Sequence, residues 1–172
     1  MQKSKLYLRK LIVTALMIAL YLLLDSVSVD ITPTTRLTVS FLTRALVGFL
    51  CGPMLGMAAG ALSDILGAWI FPRGAYYPGF TITAIVGGLL YGLILYKRKP
   101  TLVRSFAAKG AINVVCNLLM NTFWLSRMQG QAAWVLLPGR LLKNVVLWPI
   151  ESLMLFVVIK AAQKAAKQIK IL

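Results

Sequence analysis

Residues 51–96 read CGPMLGMAAGALSDILGAWIFPRGAYYPGFTITAIVGGLLYGLILY. Two apolar runs, 54–70 and 80–96, each approach the roughly 20 residues needed to cross a hydrocarbon layer. They are joined by FPRGAYYPGFT, in which Pro72 and Pro78 stiffen the chain and Gly74 and Gly79 permit it to turn. Gly52, Gly56 and Gly60 recur every fourth residue, and Gly88 and Gly92 repeat the spacing in the second run. Small residues so spaced allow helix backbones to approach closely, so the stripes are expected to knit two membrane helices together.

The rest of the chain has the same character. Its 172 residues are 59% hydrophobic and 13% charged, with a mean hydropathy of +0.81, a balance foreign to soluble domains. No segment has a soluble composition and enough length to bury a core of its own, which predicts one membrane-embedded domain over residues 1–172. The first apolar run ends in an aspartate-containing stretch without a small-residue cleavage pattern, so it is expected to stay as a helix.

Six spans are predicted, at 11–24, 37–50, 54–70, 80–96, 106–125 and 141–162, giving an all-α six-helix bundle. Thirteen of the nineteen basic residues fall in three patches: Lys3, Lys5, Arg9 and Lys10; Lys97, Arg98, Lys99, Arg104 and Lys109; Lys160, Lys164, Lys167 and Lys170. Six crossings with the N-terminus inside put all three patches, and both termini, on the cytoplasmic side facing anionic lipid. The net charge of +15 is thereby explained without nucleic acid.

The chain has no histidine, which removes the usual general base and the commonest metal ligand together. Cys51 and Cys116 lie in apolar segments with no metal-ligand neighbour and read as buried thiols. No metal site and no enzyme are expected. Asp64 and Glu151 lie deep enough in their spans to need a partner or water, and neither has a second carboxylate beside it.

The outer ends of the spans carry the chemistry. Arg73 offers a planar fork for carboxylate, and Tyr76, Tyr77 and Phe80 offer rings for stacking. Asn113, Asn117 and Asn121 are four apart on one predicted helix face, an amide row that either holds helices together or binds a ligand, with Trp124 three residues beyond. Arg140, Lys143 and Asn144 open the sixth span at helical spacing. A flat, anionic, amide-rich ligand suits this set.

These features resemble the substrate-binding S components of energy-coupling factor (ECF) vitamin transporters. The likeness rests on six short spans, the basic patches, ALMIA at 15–19, the stretch 37–96 from LTVSFLTRALVGFL to GLILY, and NTFW at 121–124. It covers nearly the whole chain and is closest to the folate-specific branch. It implies a multi-pass subunit of a bacterial cell membrane that captures folate or a reduced folate outside. The subunit then topples in the bilayer while docked on the transmembrane coupling protein EcfT and two ECF ATPase subunits. The chain has no phosphate-cradling GxxxxGK[ST] loop, so ATP would be hydrolysed by those partners, and no cofactor is implied. Ala15 and Ala19 match the family's docking surface. Asp64, Asn117 and Asn121 are assigned to the pterin edge, Tyr77, Phe80 and Trp124 to its rings, and Arg36, Arg73, Arg140 and Lys143 to the glutamate carboxylates. Tyr76 and Thr81 complete the same site.

Three rivals remain at this point. Thiamine or a hydroxymethylpyrimidine would bind a similar scaffold, but cationic thiamine wants carboxylates where this chain sets mainly arginines. An enzyme acting on lipid phosphates would need a nucleophile or metal cluster. A stand-alone ion-coupled transporter would show an internal repeat, and none is found between the halves.

Overall fold

The structure, a computed structural model, describes residues 2–32, 35–72 and 75–168. Six helices form the bundle: α1 (Gln2–Ser26), α2 (Phe41–Cys51), α3 (Pro53–Ile70), α4 (Pro78–Leu95), α5 (Leu102–Gln129) and α6 (Ala133–Gln168). All but α2 are long and apolar enough to cross a membrane. The connection between α1 and α2, in a bundle expected to be all-α, contains strands β1 (Val29–Thr32) and β2 (Thr35–Leu37). They pair antiparallel, with Val29 opposite Leu37 and Asp30 opposite Arg36.

The second predicted span is corrected most. Leu37 belongs to β2, and α2 has only 11 residues, about 16 Å at 1.5 Å per residue, half of a hydrocarbon layer. Its end is set by Gly52, whose φ of +99° is available at little cost only to glycine, and by Pro53 at the first turn of α3. Gly52 is therefore the break between two helices rather than the first member of a stripe. What α2 lacks in length it makes up in burial: Ala45, Val47 and Phe49 are at most 1% exposed and join Leu155 and Ile159 in the core.

The other glycines behave as expected. A Cβ on Gly56 would lie 2.6 Å from the carbonyl oxygen of Gly88, one on Gly88 would strike the carbonyl of Gly56, and one on Gly60 would strike that of Ala84. Gly48 of α2 meets the same seam, where its Cβ would lie 2.8 Å from the Gly92 nitrogen. Backbone thus packs on backbone where α2, α3 and α4 meet, the arrangement small residues allow in lipid.

α5 is not uniform. It is α-helical over Leu102–Ala111, a π-helix over Ile112–Met120 and α-helical again over Asn121–Gln129. The Asn121 N–H accordingly donates to the carbonyl of Cys116, five residues back. α6 runs for 36 residues with Pro138 and Pro149 inside it, a length of about 54 Å.

Helix direction alternates, so the two ends differ. At one end Ser40 donates to Asp25 (3.5 Å), Thr81 to Asp64 (2.7 Å) and Ser126 to the Gln131 carbonyl (2.6 Å). At the other, Lys10 Nζ donates to Tyr96 OH (2.9 Å), close to the second basic patch. Lys109, expected among the cytoplasmic lysines, is instead 3% exposed. It forms an ion pair of 3.1 Å with Glu151 and lies 3.8 Å from the centre of the Phe41 ring. That pairing answers the need of Glu151 for a partner inside the bundle.

Candidate functional site

The end opposite Tyr96 gathers the last turns of α3 and α5, the first turns of α4 and α6, and the loop before α4. Asp64 sits six residues before the end of α3 and Thr81 in the first turn of α4. The Thr81 hydroxyl donates to Asp64 Oδ2 at 2.7 Å, and Tyr76 OH lies 2.7 Å from Thr81 Oγ1. With the Thr81 proton given to the carboxylate, Tyr76 is the donor in that second bond. A half-buried carboxylate is thus braced by a two-hydroxyl chain.

Beside this chain stands an aromatic wall. Tyr77 meets Trp124 at 5.7 Å between centroids and Phe80 at 6.2 Å, edge-on. Phe123 abuts Trp124 at 4.9 Å. The indole N–H donates to Thr83 Oγ1 at 3.1 Å, and Thr83 in turn donates to the Gly79 carbonyl. A Cβ on Gly79 would collide with the indole, so the absent side chain is what lets Trp124 lie against the start of α4. Asp64, Tyr76, Tyr77, Phe80, Thr81 and Trp124, six of the predicted residues, are brought together here.

A second group lies between α5 and α6. Asn117 Nδ2 donates to Asn113 Oδ1 (3.0 Å) and to Asn144 Oδ1 (3.1 Å), while Asn144 Nδ2 donates to the Arg140 carbonyl (2.8 Å). Arg140, 9% exposed, donates through Nη2 to the Asn117 carbonyl at 2.9 Å. Asn117 and Arg140 are therefore engaged with each other in helix-to-helix bonds. Asn121, at the end of the π segment, is not among the partners of that network. The Asn121 Oδ1 is buried and accepts no hydrogen bond from the described residues. Lys143 is half-buried one turn along α6 from Arg140.

Arg36 lies in β2 opposite Asp30. Arg73 lies outside the described residues. Two participants escaped the sequence reading. Thr83 holds the indole, and its only signal was a place four residues after Gly79 on the same helix face. Arg44 lies over the Tyr21 ring (4.3 Å to the centroid) and donates to its hydroxyl at 2.6 Å; nothing in the sequence joined α1 to α2 at these positions. Among the described residues no three of His, Cys, Asp and Glu are grouped to hold a metal ion. A carboxylate, hydroxyls, amides and rings converge at this end, which suits recognition of a flat polar heterocycle.

The comparisons with known proteins agree on the class. The model of the ECF transporter substrate-specific component matches residues 9–159. The folate transporter FolT of Clostridium novyi (strain NT) is 42% identical over 125 residues, 73% of each chain. FolT of Leuconostoc mesenteroides subsp. mesenteroides is 31% identical over 153 residues, 86% of this chain and 82% of its own. Among solved structures, FolT bound with folic acid superposes with a TM-score of 0.80 at 27% identity, covering 86% of this chain and 89% of that one. Backbone seam, polar end and sequence kinship thus converge, and the chain belongs to the family of substrate-specific components of ECF transporters.

Proposed function

We propose that this chain is the folate-capturing S component of an ECF importer, a single membrane-embedded domain over residues 1–172 in a bacterial cell membrane. The observation that carries the reading is the braced Asp64 carboxylate beside the Tyr77–Phe80–Trp124 wall, in a chain with relatives named as folate transporters. A pterin presents an aminopyrimidinone edge that a carboxylate recognises and a face on which rings stack. Asn121, with its unused buried acceptor, adds a second contact to that edge. Arg36, Arg73, Arg140, Lys143 and Asn117 complete the assignment, with the basic groups meeting the glutamate tail. Thiamine fits less well, because the basic residues at this end outnumber the acidic ones.

The membrane passes six times in this proposal, the short α2 completing its crossing together with the β1–β2 segment. Both termini face the cytoplasm, as the positive-inside rule asks of Lys10 and Lys97 beside Tyr96 and of the exposed Arg98 and Lys99 that follow. The family is one of transporter components and not of enzymes. Delivery would follow docking of α1 on EcfT, with two ATPase subunits supplying the energy; Ala15 and Ala19 are exposed on α1, turned away from the bundle.

Isothermal titration of the purified chain with folate, thiamine and riboflavin tests the ligand. Tight one-to-one binding of folate alone is expected. Heat from another vitamin with none from folate would overturn the ligand while leaving the family intact.

A further inference from the structure

The end of the bundle away from the proposed vitamin site holds an arrangement that the transport reading does not use. Tyr96 closes α4, and its ring lies over Gly52, where a Cβ would stand 3.2 Å from Cζ. Lys10 of α1 donates to the Tyr96 hydroxyl at 2.9 Å, with Nζ 5.0 Å from the ring centre. Lys97 brings a second ammonium to 5.4 Å from the same ring. It does so from a φ of +54°, the left-handed region a residue with a Cβ enters at a cost.

The first lysine is held on every side. Its carbonyl accepts from the Thr14 hydroxyl (2.8 Å) and from the Cys51 thiol (3.5 Å), which fixes α1 against the end of α2. Gly52 offers no side chain to fill the space above it, so the ring and the two ammonium groups meet across the α2–α3 junction. One ring draws on two cations, while the cations repel each other.

Among the described residues no side-chain carboxylate is placed at this end. Asp25 and Asp64 are bonded to Ser40 and Thr81 at the other end, Asp30 belongs to β1, and Glu151 is paired with Lys109. Arg98 and Lys99, exposed next to Lys97, raise the potential further. Among the described residues nothing balances these cations, so an anion from outside the chain can. The site sits where the apolar run of α4 ends, at headgroup depth for a crossing helix, and Met54, two residues past Gly52, is 77% exposed and apolar.

We propose that Lys10, Tyr96 and Lys97 form a binding site for the headgroup phosphate of an anionic glycerophospholipid. The ammonium groups and the phenol hydroxyl hold the phosphate oxygens, and an acyl chain lies along the apolar surface by Met54. This rests on the chain being membrane-embedded and is independent of which vitamin it carries.

The test is native mass spectrometry and thermal unfolding of the full chain with dioleoylphosphatidylglycerol, dioleoylphosphatidylcholine or inorganic phosphate. Phosphatidylglycerol should be retained and raise Tm, and phosphatidylcholine should do neither. K10Q/K97Q should weaken phosphatidylglycerol about tenfold, on the scale of two lysines at a membrane surface. R98Q/K99Q, which removes the same charge nearby, should change it less than about twofold. Folate titration of each variant reports separately on the fold and the far site. Should K10Q/K97Q fail to fold, Tyr96→Phe keeps the ring and removes the hydroxyl that holds Lys10, and a measurable loss of the bound lipid is then expected. Equal losses in the two double variants would overturn the site in favour of diffuse charge. A Tm rise from inorganic phosphate alone would overturn it in favour of a soluble anion. Unchanged lipid binding with lost assembly on the ECF module would overturn it in favour of an acidic protein surface.

Discussion

Trp124 is placed by two groups that never touch a ligand in the proposed site. Thr83 accepts from its indole, and Gly79 leaves the room in which it lies. Thr83→Val should therefore weaken folate about fivefold, the worth of roughly 1 kcal/mol for one neutral hydrogen bond, with the unfolding temperature little changed. Gly79→Ala should weaken it more, at least tenfold, because a Cβ there displaces the whole ring; titration calorimetry of both variants orders the two effects. Asp64→Asn tests the pterin edge. The amide oxygen can still accept from Thr81, so the fold should hold, while loss of the charge should lower affinity by tenfold or more. An unchanged affinity in Asp64→Asn would remove this residue from the site.

At the scale of the element, the glycine seam and the buried ion pair make opposite kinds of demand. Gly88→Leu forces a side chain into the backbone of Gly56, where nothing can swing aside, and should lower stability by at least the roughly 1–3 kcal/mol typical of overpacking. Lys109→Met should destabilise by up to about 3 kcal/mol, the low end for a broken buried pair, because it leaves the half-buried Glu151 without its cation. Adding Glu151→Leu should recover most of that loss, which unfolding of the single and double variants in one detergent would measure. The seam was legible in advance because a glycine repeat at helical spacing has one main physical use in a membrane. The ion pair was not: Lys109 stands five residues from Arg104 and reads as one more cytoplasmic lysine until α6 is laid beside α5. The length of α2 was hidden for a related reason. Gly52 continues the four-residue spacing of Gly56 and Gly60, and only its left-handed φ shows that it ends a helix. The amide row was legible in part: Asn113 and Asn117 meet as their spacing suggests, but that Asn144 of α6 would join them depended on which helix lay alongside.

For the whole molecule, the division of labour between ends is the main result. The groups proposed to recognise the ligand gather where α3, α4 and α5 present Asp64, Thr81, Tyr77 and Trp124, and basic groups gather around Tyr96. The bundle was foreseeable from apolar run lengths and charge, and the aromatic loop from its composition, whereas the partner of each side chain depended on which helices became neighbours. α1 leaves Ala15, Leu16, Ala19 and Leu20 facing outward. Replacing Ala15 and Ala19 by tryptophan should leave folate binding within about twofold of the parent and abolish uptake in vesicles carrying the energising module. Loss of binding in that variant would count against a docking role for α1.

Where two helices meet through layers of side chains, they can slide, because rotamers exchange one at a time and the contact is remade in small steps. Between α3 and α4 there is no such layer around Gly56, Gly60 and Gly88. Those helices are mortised together, with α2 set into the same joint at Gly48. If the subunit turns over in the bilayer to release its cargo, this half of the bundle must turn as one plank, and the give has to be found outside that joint.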